Sequence, residues 1–185
     1  FSDRTSVFSF NHRNAFGPAE QGHVGSSQQD DKNADLPQWQ LEDLYPSMDS
    51  KEYQTDIAAC KELSERFQKS YMGKLEALVV DDPAALGAAI SEYENIEEKM
   101  GRIMSYAGLV YTGDTTDPTK AKFYGDAQEK ITDASGHLLF FTLELNRIEE
   151  TVLNDAMQAT ESLAYYRPWL DNLRKDRPYQ LDEKI

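Results

Sequence analysis

From Asp49 onward, apolar positions recur every three or four residues, the period of helices that bury one face. Asp49-Ser50-Lys51-Glu52 has capping-box spacing, so a first helix is predicted to start at Asp49. Its buried face carries Tyr53, Ile57, Cys60, Leu63, Phe67 and Tyr71, and Gly73 ends it. Leu75 and Leu78 through Val80 are expected to pack in the connection that follows. The second helix begins near Asp82-Pro83, a cap followed by a first-turn proline, and buries Leu86, Ile90, Tyr93, Ile96, Met100, Ile103 and Tyr111. A third runs from about Pro118 to Asn146, roughly 40 Å at 1.5 Å per residue. Its face holds Phe123, Ala127, Ile131, Ala134, Leu138, Phe141 and Leu145. Ile148, Val152, Leu153 and Met157 predict a short helix. Leu163, Tyr166, Trp169, Leu170 and Leu173 predict another, interrupted at Arg167-Pro168. Beyond Pro178, Tyr179 to Ile185 reads as the first turn of a further helix, so the chain is expected to be cut inside a longer protein.

The stretch from Ser105 to Asp126 joins the two longest patterns. Gly113 can take the left-handed conformation that closes a helix, Thr116 or Asp117 can cap the next, and Pro118 falls where a proline is harmless. The two helices therefore form a long antiparallel hairpin with this turn at its tip. Gly101, Ser105 and Gly108 make a stripe of small residues on one helix, and Ala121, Gly125, Thr132 and Gly136 make one on the other. Each glycine costs about 1 kcal/mol against alanine inside a helix, so a compensation is expected. Close approach of the facing helix is one; a hinge is the alternative. Leu138-Leu139-Phe140-Phe141 is apolar all round and implies burial on more than one side.

Residues 1–35 are rich in Ser, Gln, Gly, Asn and Asp, with too little apolar surface to offset chain entropy, and are expected to form a disordered tail. Between Leu36 and Pro46 large apolar residues return beside two prolines, which predicts an extended strap anchored by Trp39, Leu41, Leu44 and Tyr45. The fold class is all-α: a helical hairpin with additional helices, bundle-like, over 36–185, behind the tail.

Composition narrows the function classes. The formal net charge of −14 over 185 residues lacks the clustered cations that phosphate neutralisation needs, and argues against nucleic acid and anionic membranes as partners. No run of about 18 apolar residues exists to span a bilayer. The single cysteine, Cys60, lies on an apolar helical stripe and fits a reducing, cytoplasmic setting.

No catalytic motif emerges. The three histidines are His12, His23 and His137. Asp133 and His137 are one turn apart and can share a face, but a metal site needs more ligands, and a core histidine bonded to a neighbour is the plainer reading. Cys60 has no histidine tied to it. The paired carboxylates Asp30 and Asp31, Glu94, Glu97 and Glu98, and Glu149 and Glu150 read as solvated faces or tail. Gly113-Asp114-Thr115-Thr116 does not match a nucleotide fingerprint. Tyr165-Tyr166-Arg167-Pro168-Trp169 can contact a peptide or, more simply, form a packing knot. No catalytic, cofactor-binding or metal-binding residue is assigned.

Several uncommon strings recur together in order. They are Leu36-Pro37-Gln38-Trp39-Gln40-Leu41-Glu42-Asp43-Leu44-Tyr45-Pro46 and Tyr106-Ala107-Gly108-Leu109-Val110-Tyr111-Thr112-Gly113-Asp114-Thr115-Thr116-Asp117-Pro118. Leu139-Phe140-Phe141-Thr142-Leu143-Glu144-Leu145-Asn146, Tyr166-Arg167-Pro168-Trp169-Leu170 and Lys175-Asp176-Arg177-Pro178-Tyr179-Gln180-Leu181 follow. Through them the chain resembles the N-terminal helical region of oligoendopeptidase F, in the thimet-oligopeptidase-like zinc metallopeptidases. The family works by a His-Glu-x-x-His helix that binds zinc and activates water. That motif is absent here, so no site residue is carried over. The resemblance implies an N-terminal domain that helps line a channel admitting oligopeptides, truncated before its catalytic domain and inactive alone. Its implied partners are that missing domain and an oligopeptide, and zinc belongs to the full-length parent. The alternative is a free-standing helical module that binds a protein or peptide.

Overall fold

In the computed structural model residues 40–175 and residue 177 are described, and their regular structure is helical throughout. The residues from Leu41 onward fall in one compact unit; of the unit before it, 1–40, only Gln40 is described. The expected disordered tail, the Trp39 anchor and the helix turn beyond Pro178 lie outside the described residues. A 3-10 turn, Leu41–Asp43, precedes eight α-helices: α1 Lys51–Tyr71, α2 Leu75–Asp81, α3 Pro83–Gly113, α4 Pro118–Gly136, α5 Leu139–Arg147, α6 Glu150–Ala159, α7 Glu161–Ala164 and α8 Arg167–Arg174.

Capping chemistry sets most of the boundaries. The α1 cap is Ser50, whose Oγ accepts from the Tyr53 N–H at 3.3 Å. The expected cap, Asp49, instead accepts from the Ser47 hydroxyl at 2.7 Å. Gly73 turns the chain with φ of +76°, a left-handed conformation that side chains resist, and its N–H donates to Glu144 Oε1 at 2.7 Å. The segment 75–81 is a helix rather than a plain connection. Leu75 and Val79 are buried in it, while Val80 faces outward, 65% exposed, against the expectation that it packs. Asp82 caps α3 through Ala85 N–H at 3.0 Å, with Pro83 in the first turn. At the hairpin tip Asp117 caps α4 through the Thr119 and Lys120 N–H groups. Gly113 is the last residue of α3 and is not left-handed; Gly73 alone has a positive φ among the described glycines.

The third predicted helix is in fact two. After Gly136 the chain tightens: the His137 N–H bonds back to Ala134 and the Leu138 N–H to Ser135, three residues rather than four. Ser135 Oγ also donates to Thr132 O, one of the local side-chain bonds that compete with a helix. After the break Leu138, Phe140 and Phe141 are buried, while Leu139 faces outward, 62% exposed, against the expectation that the whole apolar string packs.

The hairpin α3–α4 and helix α1 pack together along their lengths. Their shared core holds Tyr53, Ile57, Cys60, Phe67, Ile96, Met100, Ile103, Tyr106 and Ala134. Helices α2, α6 and α7 close on the first half of α3, with Leu75, Val79, Leu86, Ile90, Leu153 and Leu163 buried. Fully burying each such side chain is worth on the order of 1.5–3 kcal/mol. Where α7 meets α3, Gly87 is the point of closest approach: a Cβ there would lie 3.0 Å from Ser162 Oγ and 3.1 Å from Leu163 N.

Candidate functional site

The described residues hold no group of three or more His, Cys, Asp or Glu placed to bind a metal ion. His137 Nδ1 lies 2.9 Å from Gln68 Oε1, so the ring stitches the α4–α5 break to α1. Asp133 pairs instead with Lys61 at 2.7 Å, both side chains largely in water. The sequence's one candidate metal pair is thus divided between two different partners. None of the three histidines is followed by glutamate, so the residues present do not fit a His-Glu-x-x-His zinc site.

Cys60 is fully buried, and burial pushes its thiol up to about 11. A neutral thiol sealed in a core is a packing group, not a nucleophile. Glu94 accepts from the Tyr166 hydroxyl at 3.2 Å and Glu149 faces Arg177 at 3.8 Å, both at the surface. Asp30 and Asp31 lie outside the described residues. In the aromatic string near the C-terminus, Tyr166 and Trp169 pack on the core, the latter 6.0 Å from the Tyr93 ring, while Tyr165 is 75% exposed.

The hairpin presents two contrasting surfaces. Inside, the Tyr111 and Tyr124 rings stack parallel with their centroids 5.3 Å apart, and the Tyr124 ring comes within 3.8 Å of where a Gly108 Cβ would be. Outside, a Cβ added at Gly101, Gly125 or Gly136 would meet nothing within 4 Å. The expectation that the two small-residue stripes face each other is therefore overturned. Ala121, Gly125, Thr132 and Gly136 form an exposed stripe on α4. The tip between them is held by Asp114, which accepts from the Thr116 hydroxyl at 2.7 Å and the Thr116 N–H at 3.1 Å; these bonds hold its carboxyl below the ordinary value.

Two polar clusters were not anticipated from the sequence. In the first, Tyr45 inserts between Tyr53 and Tyr106, with both ring centroids at 5.3 Å, and donates its hydroxyl to Asp56 at 2.9 Å. Lys99 donates to the other oxygen of Asp56 at 2.5 Å. Arg102 lies 4.6 Å over the Tyr45 ring and bonds the Leu44 carbonyl. The signal available was Asp56 beside an apolar stripe, with Lys99 and Arg102 one turn apart on the second predicted helix. In the second, Arg174 Nη2 donates to the carbonyls of Ile148 at 2.7 Å and Leu145 at 3.2 Å, closing the end of α5. Asn146, beside them in sequence, is 1% exposed, and its amide has no hydrogen-bond partner among the described residues.

Comparison with known proteins bears on this arrangement. The family model described as Oligopeptidase F matches residues 144–185. The chain is also 30% identical over 146 residues to Oligopeptidase PepF of Bacillus subtilis (strain 168), an alignment covering 79% of this chain. The chain matches the N-terminal region of the oligopeptidase F family.

It spans about a fifth, 21%, of the length of that Bacillus relative. No solved structure matches. The matched family segment begins at Glu144, the residue that holds the Gly73 turn, and takes in Asn146, the α6–α8 region and Arg174. No described helix is long and apolar enough to cross a membrane.

Proposed function

We propose that this chain is the substrate-channel domain of a zinc-dependent oligopeptidase, with the hairpin's exposed α4 stripe turned toward the passage that admits the peptide. The zinc, the water-activating glutamate and peptide-bond hydrolysis belong to a catalytic domain in the longer protein. The 185-residue chain does not hydrolyse peptides by itself, and the whole protein works on oligopeptides in the cytoplasm. The match to the oligopeptidase F family supports the class of reaction.

The observation that carries the hairpin's role is Gly125 and Gly136 on an exposed helical face with nothing packed on them. Gly125, inside α4, forfeits about 1 kcal/mol of helix propensity, and no described neighbour uses the space that it or Gly136 leaves. A substrate or a facing domain in the longer protein would use it. The test places Gly125→Leu and Gly136→Leu in the longer protein and measures cleavage of quenched peptides of increasing length. Selective loss of the longer peptides supports the reading. An unchanged length profile from both variants contradicts it.

A further inference from the structure

We propose that the strap 41–49 is a releasable latch that opens as a unit while the helical body stays folded, with Asp56 as its catch. The strap's hold on the body is concentrated in very few groups. Tyr45 is its one buried residue; Leu41 and Leu44 are half-buried, and Pro46, Ser47 and Asp49 face water. Its backbone bonds are largely its own: the Leu44 and Tyr45 N–H groups both turn back to the Leu41 carbonyl. Its described contacts with the body are the Tyr45 hydroxyl on Asp56, the Tyr45 ring between Tyr53 and Tyr106, the Arg102 guanidinium on Leu44 O and over the Tyr45 ring, and the half-buried Leu41 and Leu44 side chains. Opening therefore forfeits one buried aromatic side chain, two half-buried leucines and these contacts. Opening α1 or α3 forfeits a row of buried side chains each. Segments with few buried contacts open first, below the global unfolding free energy.

Asp56 is the shared element because its two oxygens serve opposite sides of the joint. One takes the strap's Tyr45 hydroxyl, and the other takes Lys99 from α3. Release of the strap bares the faces of Tyr53 and Tyr106 with Lys99 and Arg102 at the rim.

Hydrogen exchange by mass spectrometry on the 185-residue chain tests the latch, comparing wild type with Asp56→Asn, Tyr45→Phe and Arg102→Gln. Exchange in 44–49 rises about tenfold in each variant while exchange in 96–107 and 123–134 changes by less than about twofold. Equal acceleration in the strap and in those α3 and α4 segments would show that the strap is part of the cooperative core. Unchanged strap exchange in all three variants would show that these groups do not hold it. Either result overturns the proposal.

Discussion

Gly87 of α3 lies against the α7 backbone so closely that a Cβ would stand 3.1 Å from the Ser162 carbonyl carbon. Backbone cannot swing aside as a flexible side chain can. Gly87→Ala gains about 1 kcal/mol of helix propensity but forces two packed elements apart, a strain of about 1–3 kcal/mol. The variant is expected to be destabilised by about 1 kcal/mol, read as a lowered urea midpoint with unchanged slope.

The opposite sign is expected on the hairpin's outer face. Gly125→Ala meets open space and removes backbone entropy from the unfolded chain. It raises stability by roughly 0.5–1 kcal/mol in the same denaturant titration. A destabilised Gly125→Ala would mean that this face is covered within the chain itself.

Asn146 buries an amide that no described residue satisfies. An unpaired buried polar group carries a desolvation cost of about 1–3 kcal/mol. Asn146→Leu is expected to raise thermal stability, and Arg174→Met to lower it, because Arg174 holds two carbonyls at the end of α5. Calorimetric melting of the two variants checks both signs.

Burial alone pushes the Asp56 carboxyl up, but the hydrogen bonds from Lys99 and Tyr45 outweigh it and hold it below the ordinary carboxylate value. A depressed folded-state value means that the stabilisation is complete above the unfolded aspartate value, about 3.9, and is lost as pH falls through the folded one. Stability measured below about pH 4 should fall less steeply in Asp56→Asn than in wild type. Identical acid limbs would remove Asp56 from the account.

Cys60 offers a simple report on the core. Its thiol is neutral and enclosed, so at pH 7 a thiol reagent should label the native chain only as fast as the core opens, and label the urea-unfolded chain at once.

Much of the fold could be read from the sequence because it rests on local chemistry. Asp82-Pro83 and Asp117-Pro118 announce two helix starts by side-chain oxygens and prolines whose roles are decided within three residues. The period of α1 identifies Tyr53, Ile57, Cys60 and Phe67 as core. What escaped needs the third dimension. The break at His137 keeps right-handed backbone angles, so the apolar period runs through it without a stop signal. The seven residues of α2 are too few to display a helical period. The small-residue stripes were correctly located but assigned to the wrong neighbour, because spacing gives a face and not what lies against it. Gly87 stood outside both stripes and is the glycine that close packing requires. The Asp56–Lys99–Arg102 cluster joins residues 43 and 46 positions apart, and only packing brings them together.

The most direct test of the functional reading sets the 185-residue chain beside the longer protein that the proposal calls for, measuring zinc content and cleavage of a quenched oligopeptide. The account predicts bound zinc and chelator-sensitive cleavage in the longer protein, and neither in the 185-residue chain. Chelator-sensitive cleavage by the 185-residue chain alone, or a longer protein that binds no zinc and cleaves nothing, would contradict it.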